Sequence, residues 1–433
     1  MVGSKKPSKP IVLSWRHGAA PKRPLRRQQE QDQPVVPLRK IPSDHAYNDP
    51  FEALPMKGSP VAWDMLCYFR TCWVVHYGTR KEIASPGHSD PATEFSIPHL
   101  LRSPLFALSI VTASRLHYVL VCGSDAARDR TFLRLRSELV SSLRYELQRG
   151  LLPSYESARA IGILVIVYQT DLMAFDMHYG ALQATLKQMR FQSLDAGYQA
   201  YLGAFIKSLA YLHELVRLAN SKDTSRSSPS LQYPVSRSIN SELFARIPAG
   251  YSELAASGAT SSQLVQALFD VGTLTVAFER GEAQESLHEA TMLALRDIFH
   301  VRRITKSATE RYLCQGLGTY CLLLRWMRDP TLFSWTTQAY YWFYDELPPE
   351  NVSAALASWV VLTGAAARNF DSMFRPRAVD SIAILLHRYP EARSWTRVLQ
   401  MLQGFYHTRS MLQVWKDLWT QAATRGGYCG NPD

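Results

Sequence analysis

The sequence predicts an all-α protein, a large array of antiparallel helix pairs behind a disordered basic N-terminal tail. Three observations predict it. Apolar residues recur every three or four positions through most of residues 60–424, as on the buried face of a helix. No sustained alternation of period two occurs. Pro, Gly and Ser gather between the periodic segments, above all in the tail and at about 220–262, which separates helices without breaking them.

Residues 1–46 are rich in Pro, Gln, Lys and Arg without apolar periodicity, and read as a disordered tail. Residues 48–55 read as extended, because Pro50 and Pro55 disfavour helix at the preceding residue. The first helix is expected over 60–77, on Trp63, Leu66, Cys67, Phe69, Trp73 and Val74; residues 86–98 are a loop by composition. Helices follow over 98–121, 125–150, 154–174, 176–190 and 196–219. Phe132, Leu135, Leu139, Leu143 and Leu147 stripe the second of these, and Gly150 suits its end. Ser154 and Glu156 open the third. Its middle, 161–168, is apolar on every side and therefore buried.

Residues of about 220–262 change character, with many Ser, Pro229, Pro234, Pro248, Gly250 and Gly258. They are expected to form a surface insertion with a short helix near 241–246. Helices resume at about 262–280, 283–303, 307–328, 336–345, 351–368, 371–388, 394–407 and 410–424. Residues 47–424 thus read as one helical domain, and 425–433 as a flexible C-terminus.

With 433 residues, 46% of them hydrophobic, the chain can bury a sizeable core. Ten Lys and Arg stand before Ala46 against three acids, so most of the net charge of +11 belongs to the tail. Six cysteines in so long a chain do not suggest a disulfide framework, and a reducing intracellular compartment is expected. The longest apolar run, 161–168, falls short of the ~20 residues of a membrane helix, so no membrane association is expected.

Local chemistry is sparse. Cys67 and Cys72 lie five residues apart, ~140° around a helix, and would not converge on one ion. Cys314 and Cys321 share a helix face without further ligands. All four are expected in the core, with no metal and no cofactor. GxSxG, P-loop, HExxH and CxxC motifs are absent, and Gly316 and Gly318 lack the third glycine of a dinucleotide fingerprint. Asp345 and Glu346 are adjacent and diverge on a helix. His117, His178, His213, His288 and His300 are scattered and read as structural. No catalytic set emerges, and the expectation is a protein that is not an enzyme.

Two groups remain as candidate sites. Lys5, Lys6, Lys9, Lys22, Arg23, Arg26 and Arg27 form basic clusters in the tail. They read either as a solvated arm or as a nuclear-import or nonspecific phosphate contact, which positions on DNA without selecting sequence. Trp335, Tyr340, Tyr341, Trp342, Phe343 and Tyr344 make an aromatic segment, either a core helix or a groove for a small ligand or partner.

The order of motifs toward the C-terminus carries a family resemblance. Ala354 to Arg368 (AALASWVVLTGAAAR) leads to Ser394-Trp395-Thr396-Arg397-Val398 and on to Trp415-Lys416-Asp417-Leu418-Trp419. Upstream stand Asp49-Pro50-Phe51-Glu52-Ala53-Leu54-Pro55, Leu100 to His117, and Asp176-Met177-His178-Tyr179-Gly180-Ala181-Leu182. This order resembles the fungal-specific transcription factor domain, the helical region usually found after a binuclear zinc cluster. The resemblance covers roughly 48–424. It implies a compact all-α array in a nuclear regulator of fungal metabolism, secondary metabolism included, and a domain that regulates, dimerises or binds effectors. No cysteine precedes Cys67, so no zinc-cluster residue carries over and no site transfers.

The functional expectation is a transcription-regulator-like protein acting through its helical domain in the nucleus, with the cytoplasm as the other location. Its partners are expected to be proteins or a second copy, with DNA contact at most nonspecific through the tail. Two other readings stay open: a zinc-cluster factor whose DNA-binding part is lost or lies upstream, and a helical small-molecule-binding protein or enzyme.

Overall fold

The computed structural model describes residues 60–74, 100, 102–122, 124–149, 154–189, 196–220, 231, 233, 246–329 and 348–428. The chain divides into the units Met1–Ala46 and Tyr47–Asp433. The first unit lies outside the described residues, as do the helices expected at 336–345 and, but for Arg246, at 241–246, and most of the C-terminal 425–433.

The fold is all-α, with no strand among the described residues. The helices are α1 (Pro60–Tyr68), α2 (Pro104–Val121), α3 (Arg130–Gln148), α4 (Tyr155–Val167), α5 (Leu172–Gln188), α6 (Ala196–Asn220) and α7 (Ala249–Ala256). They continue with α8 (Ser262–Glu279), α9 (Gln284–Ile304), α10 (Ala308–Arg328), α11 (Ala354–Arg368), α12 (Arg375–Arg388), α13 (Trp395–Leu402) and α14 (Arg409–Arg425). The last turn of α1 widens into a π-helix, Phe69–Val74. Most helices pack on the one that follows, and α2, α4, α8, α11 and α12 also pack on the next but one.

Short polar side chains begin the helices. Ser103, Asp129, Ser154, Asp171, Ser261, Ser307, Ser353, Ser394 and Thr408 each accept from a backbone N–H of the first turn, a cap worth about 1 kcal/mol. Three ends use glycine in the left-handed region. Gly258, Gly281 and Gly427 have φ of 75°, 71° and 69°. The residue after each donates back to Leu254 O, Ala277 O and Ala423 O, the bond that satisfies otherwise orphaned end carbonyls.

The boundary expected between the helices over 154–174 and 176–190 lies earlier, between Val167 at the end of α4 and Leu172 at the start of α5. Asp171 accepts from Ala174 N and starts α5 there, because a carboxylate cap competes with helix continuation. The segment of about 220–262 is not wholly a surface insertion. Ile247, Tyr251, Ala255, Thr260 and Ser261 are buried, and α7 within it was not expected. Its signal is weak because α7 is only 8 residues long and opens on Pro248. Apolar length was also underestimated: α2, with 18 residues, is long and apolar enough to span a bilayer, but 72% of that window is buried inside the protein.

The core centres on aromatic rings. Trp359 of α11 is fully buried and donates its indole N–H to Tyr406 O at 2.7 Å. Phe405 stacks on it at 5.7 Å and Tyr251 meets it edge-on at 5.6 Å. Glycines make the room. A Cβ on Gly316 of α10 would stand 2.5 Å from Trp359 Cζ3 and 2.7 Å from Val360 Cγ2, and one on Gly272 of α8 would stand 2.7 Å from Tyr406 Oη.

Two glycine substitutions test this seating. Gly316→Ala is expected to lower stability in urea unfolding by about 1–3 kcal/mol through overpacking. Gly180→Ala, at an exposed α5 position with nothing within 4 Å of the added Cβ, is expected to raise it by about 0.5–1 kcal/mol. Equal effects would refute the seating.

Candidate functional site

The candidate residues of the sequence reading, Lys5, Lys6, Lys9, Lys22, Arg23, Arg26 and Arg27 in the tail and Trp335, Tyr340, Tyr341, Trp342 and Tyr344 in the aromatic segment, all lie outside the described residues. The described residues instead gather four polar constellations.

The first is buried. Tyr68 of α1 donates its hydroxyl to His117 Nδ1 of α2 at 2.7 Å. His117 Nε2 donates to Asp371 Oδ2, just past α11, at 3.0 Å, with side-chain exposures of 0% and 1%. Asp371 Oδ1 also accepts from Met373 N. The order of acid, imidazole and hydroxyl is that of a nucleophilic relay, but the hydroxyl belongs to a tyrosine at 2% exposure. A group so enclosed presents no atom to a substrate, so the relay fastens α1 and α2 to the C-terminal half. No local spacing announces it, since 254 positions separate His117 from Asp371.

The second lies nearer the surface, on α5, α6 and α9. Asp176 Oδ1 accepts from His213 Nε2 at 3.0 Å, and Arg217 Nη1 stands 3.7 Å from Asp176 Oδ2. Tyr179 stacks on the imidazole with centroids 3.8 Å apart. His288 Nε2 pairs with Glu214 Oε2 at 3.2 Å. Burial lowers the His213 pKa, against the pull of Asp176. Burial also pushes the His178 imidazole, packed on Tyr168, down to about 4. An acid-oriented, neutral imidazole has the makings of a general base. Among the described residues, however, no Ser, Thr or Cys side chain hydrogen-bonds to it.

The third is Glu310 of α10, fully buried. It accepts from Ser261 N at 2.7 Å, Thr305 Oγ1 at 2.5 Å and Tyr233 Oη at 2.7 Å. Three neutral donors hold a carboxylate inside the protein, and Tyr233 is thereby anchored to the α9–α10 turn.

The fourth is concave. Ala219, Phe299, Arg302, Arg303 and Arg311 line a cleft of about 250 Å³ where α6, the end of α9 and the start of α10 meet. The sequence reading missed it, although Arg302-Arg303-x-x-Lys306-x-x-x-x-Arg311 is a visible signal. A separate apolar cavity of about 220 Å³ is lined by residues including Leu323, Met327, Phe370 and Met411.

Among the described residues no group of three His, Cys, Asp or Glu side chains could hold a metal ion. Cys314 and Cys321 are buried as expected, and burial raises both thiol pKa values. Cys67 is exposed rather than in the core: its neighbours Leu66 and Tyr68 take the buried face of α1 and turn it outward. Compared with family models, curated proteins and solved structures, the chain matches none.

The histidines set a pH dependence. The folded pKa values of His178 and His213 lie below the unfolded value, so the unfolded chain takes up the protons first as pH falls. Their contribution to stability is complete above about pH 6.5, and that of His178 is lost as pH falls from there toward about 4. Urea unfolding should therefore show stability declining over that window, with a shallower decline in His178→Phe. The His178 ring proton should hold its NMR shift down to about pH 5.

Proposed function

We propose that this protein is a regulator of the kind its C-terminal motifs resemble, a fungal transcription-factor-like helical domain that works in the nucleus through contacts with other proteins or a second copy. The observation that carries the reading is the mutual packing of the residues that carry the resemblance. Ser394 caps α13, and Trp395 of the SWxxV step packs on Trp419 of the closing LW at 5.7 Å. Trp419 donates its indole N–H to Ala392 O at 2.9 Å. Both helices pack on α11, which holds Trp359. Motifs of degenerate sequence that meet in one core form a structural unit, and such a unit is what a family signature preserves.

The polar constellations support a non-catalytic role. Tyr68–His117–Asp371 and Glu310 join helices, and the Asp176–His213 pair serves no nucleophile among the described residues. In this proposal the tail lysines and arginines supply nuclear import or a nonspecific phosphate contact.

A fluorescent fusion of the full chain is expected to accumulate in the nucleus, and one lacking residues 1–46 to lose that accumulation. A genome-wide DNA-association profile of the tagged protein is expected to show discrete peaks reached through partners. A full-length fusion that stays in the cytosol with a flat profile would sink the proposal.

A further inference from the structure

The cleft at the α9–α10 corner has an unusual charge. Three of its five lining side chains are guanidiniums, and among the described residues that line it none is a carboxylate. The acid adjacent to Arg311 in sequence, Glu310, is turned into the core and held by Ser261 N, Thr305 Oγ1 and Tyr233 Oη.

Local uses account for part of this arrangement. Arg302 and Arg303 occupy the last turn of α9, where a cation favours the negative helix end. Arg311 Nη2 donates to Thr305 O at 3.2 Å, tying that end to α10. Neither use requires all three to open onto one concavity, where like charges repel. Arg311 moreover stands in the opening turns of α10, where the helix dipole disfavours a cation. The local field is felt next door: the His300 pKa is lowered by burial first and then by the Arg303 charge.

We infer that this cleft binds a small phosphomonoester, its phosphate held by Arg302, Arg303 and Arg311 and its apolar part resting on Phe299 and Ala219. Guanidinium forks match a tetrahedral oxyanion and are its strongest neutral-pH partners. A phosphomonoester carries up to two negative charges and three terminal acceptor oxygens, which suits three forks better than the two oxygens of a single carboxylate. Phe299 is 5% exposed and supplies the apolar wall that inorganic phosphate alone does not use. The volume falls below the ~300–1,000 Å³ of sites for drug-sized ligands, so the cleft takes a compact ester rather than a dinucleotide. This inference goes beyond the regulatory reading: a protein with no nuclear role would carry the same site, and nuclear localisation does not depend on it.

The test is calorimetric titration of the full-length protein at neutral pH with phenyl phosphate, inorganic phosphate and benzoate. Phenyl phosphate is expected to bind about tenfold more tightly than inorganic phosphate, and benzoate least. Arg303→Gln and Arg311→Gln are each expected to weaken phenyl phosphate about tenfold, the loss of one charge-assisted contact, while each keeps the folded circular dichroism spectrum at the titration temperature. Lys306→Gln, exposed in the same turn but outside the lining, is expected to change nothing. An equal loss in Lys306→Gln, no saturable binding to the folded protein, or equal affinity for the two phosphates would each overturn the inference. So would a duplex oligonucleotide that binds through Arg303 and Arg311 while neither phosphate does.

Discussion

The indole of Trp359 is the contact on which the helical array depends. It is fully buried, and its N–H is satisfied by a backbone carbonyl from the loop between α13 and α14. Around it close Tyr251 from α7, Tyr320 from α10, and Phe405 with Tyr406 from that loop. A large ring enters such a site only if the facing helix carries no side chain there, and Gly316 meets that condition. Tyr406 repeats the device, resting against Gly272 and donating to Leu268 O at 2.8 Å. The backbone of α7 then comes close enough for Gly250 N to reach Gly404 O at 2.9 Å. Ring, glycine and carbonyl are interdependent, because close packing leaves no slack to absorb a change in any of them.

Around this apolar centre the protein distributes a few buried polar ties. His117 with Asp371 joins α2 to the segment after α11, and Glu310 joins the α9–α10 turn to Ser261 and Tyr233. Lys207 of α6 reaches Asp329 at the end of α10 at 2.8 Å. Burying a carboxylate is costly unless its lone pairs are met, and each of these carboxylates meets partners from separate segments. Each tie is therefore costlier to break than it is stabilising to form, because removing one partner leaves the other buried and unmet. In these ties the oriented groups face one another rather than a cavity.

Much of the fold was legible in the sequence because its signals are local. Of the stripe Phe132, Leu135, Leu139, Leu143 and Leu147, the first four are buried in α3 and Leu147, in its last turn, is exposed, while Ser154 caps α4 as its position suggested. Trp359 and Trp415 are fully buried, while Trp395 and Trp419 are partly buried and pack on one another. What failed lacked a local signal. Cys67 reads as core by composition, yet Leu66 and Tyr68 claim the inner face of α1. α7 is short, begins on a proline and lies in a Ser-rich stretch, so nothing in its own residues announced that Tyr251 would be buried against Trp359. The arginine cleft was written as four cations in ten residues, but a charge run reads as a solvated face until a helix turn folds it around a concavity.

The sequence by itself determined that this protein is helical and where most helices start and stop. Capping, periodicity and glycine stops are decided within a few residues of chain. Tertiary structure alone decided which glycine receives which ring, that His117 meets an aspartate 254 positions away, and that Arg302, Arg303 and Arg311 share one cleft. Those outcomes depend on how separate helices approach, and that approach is set by the total burial of apolar surface, which no single segment encodes.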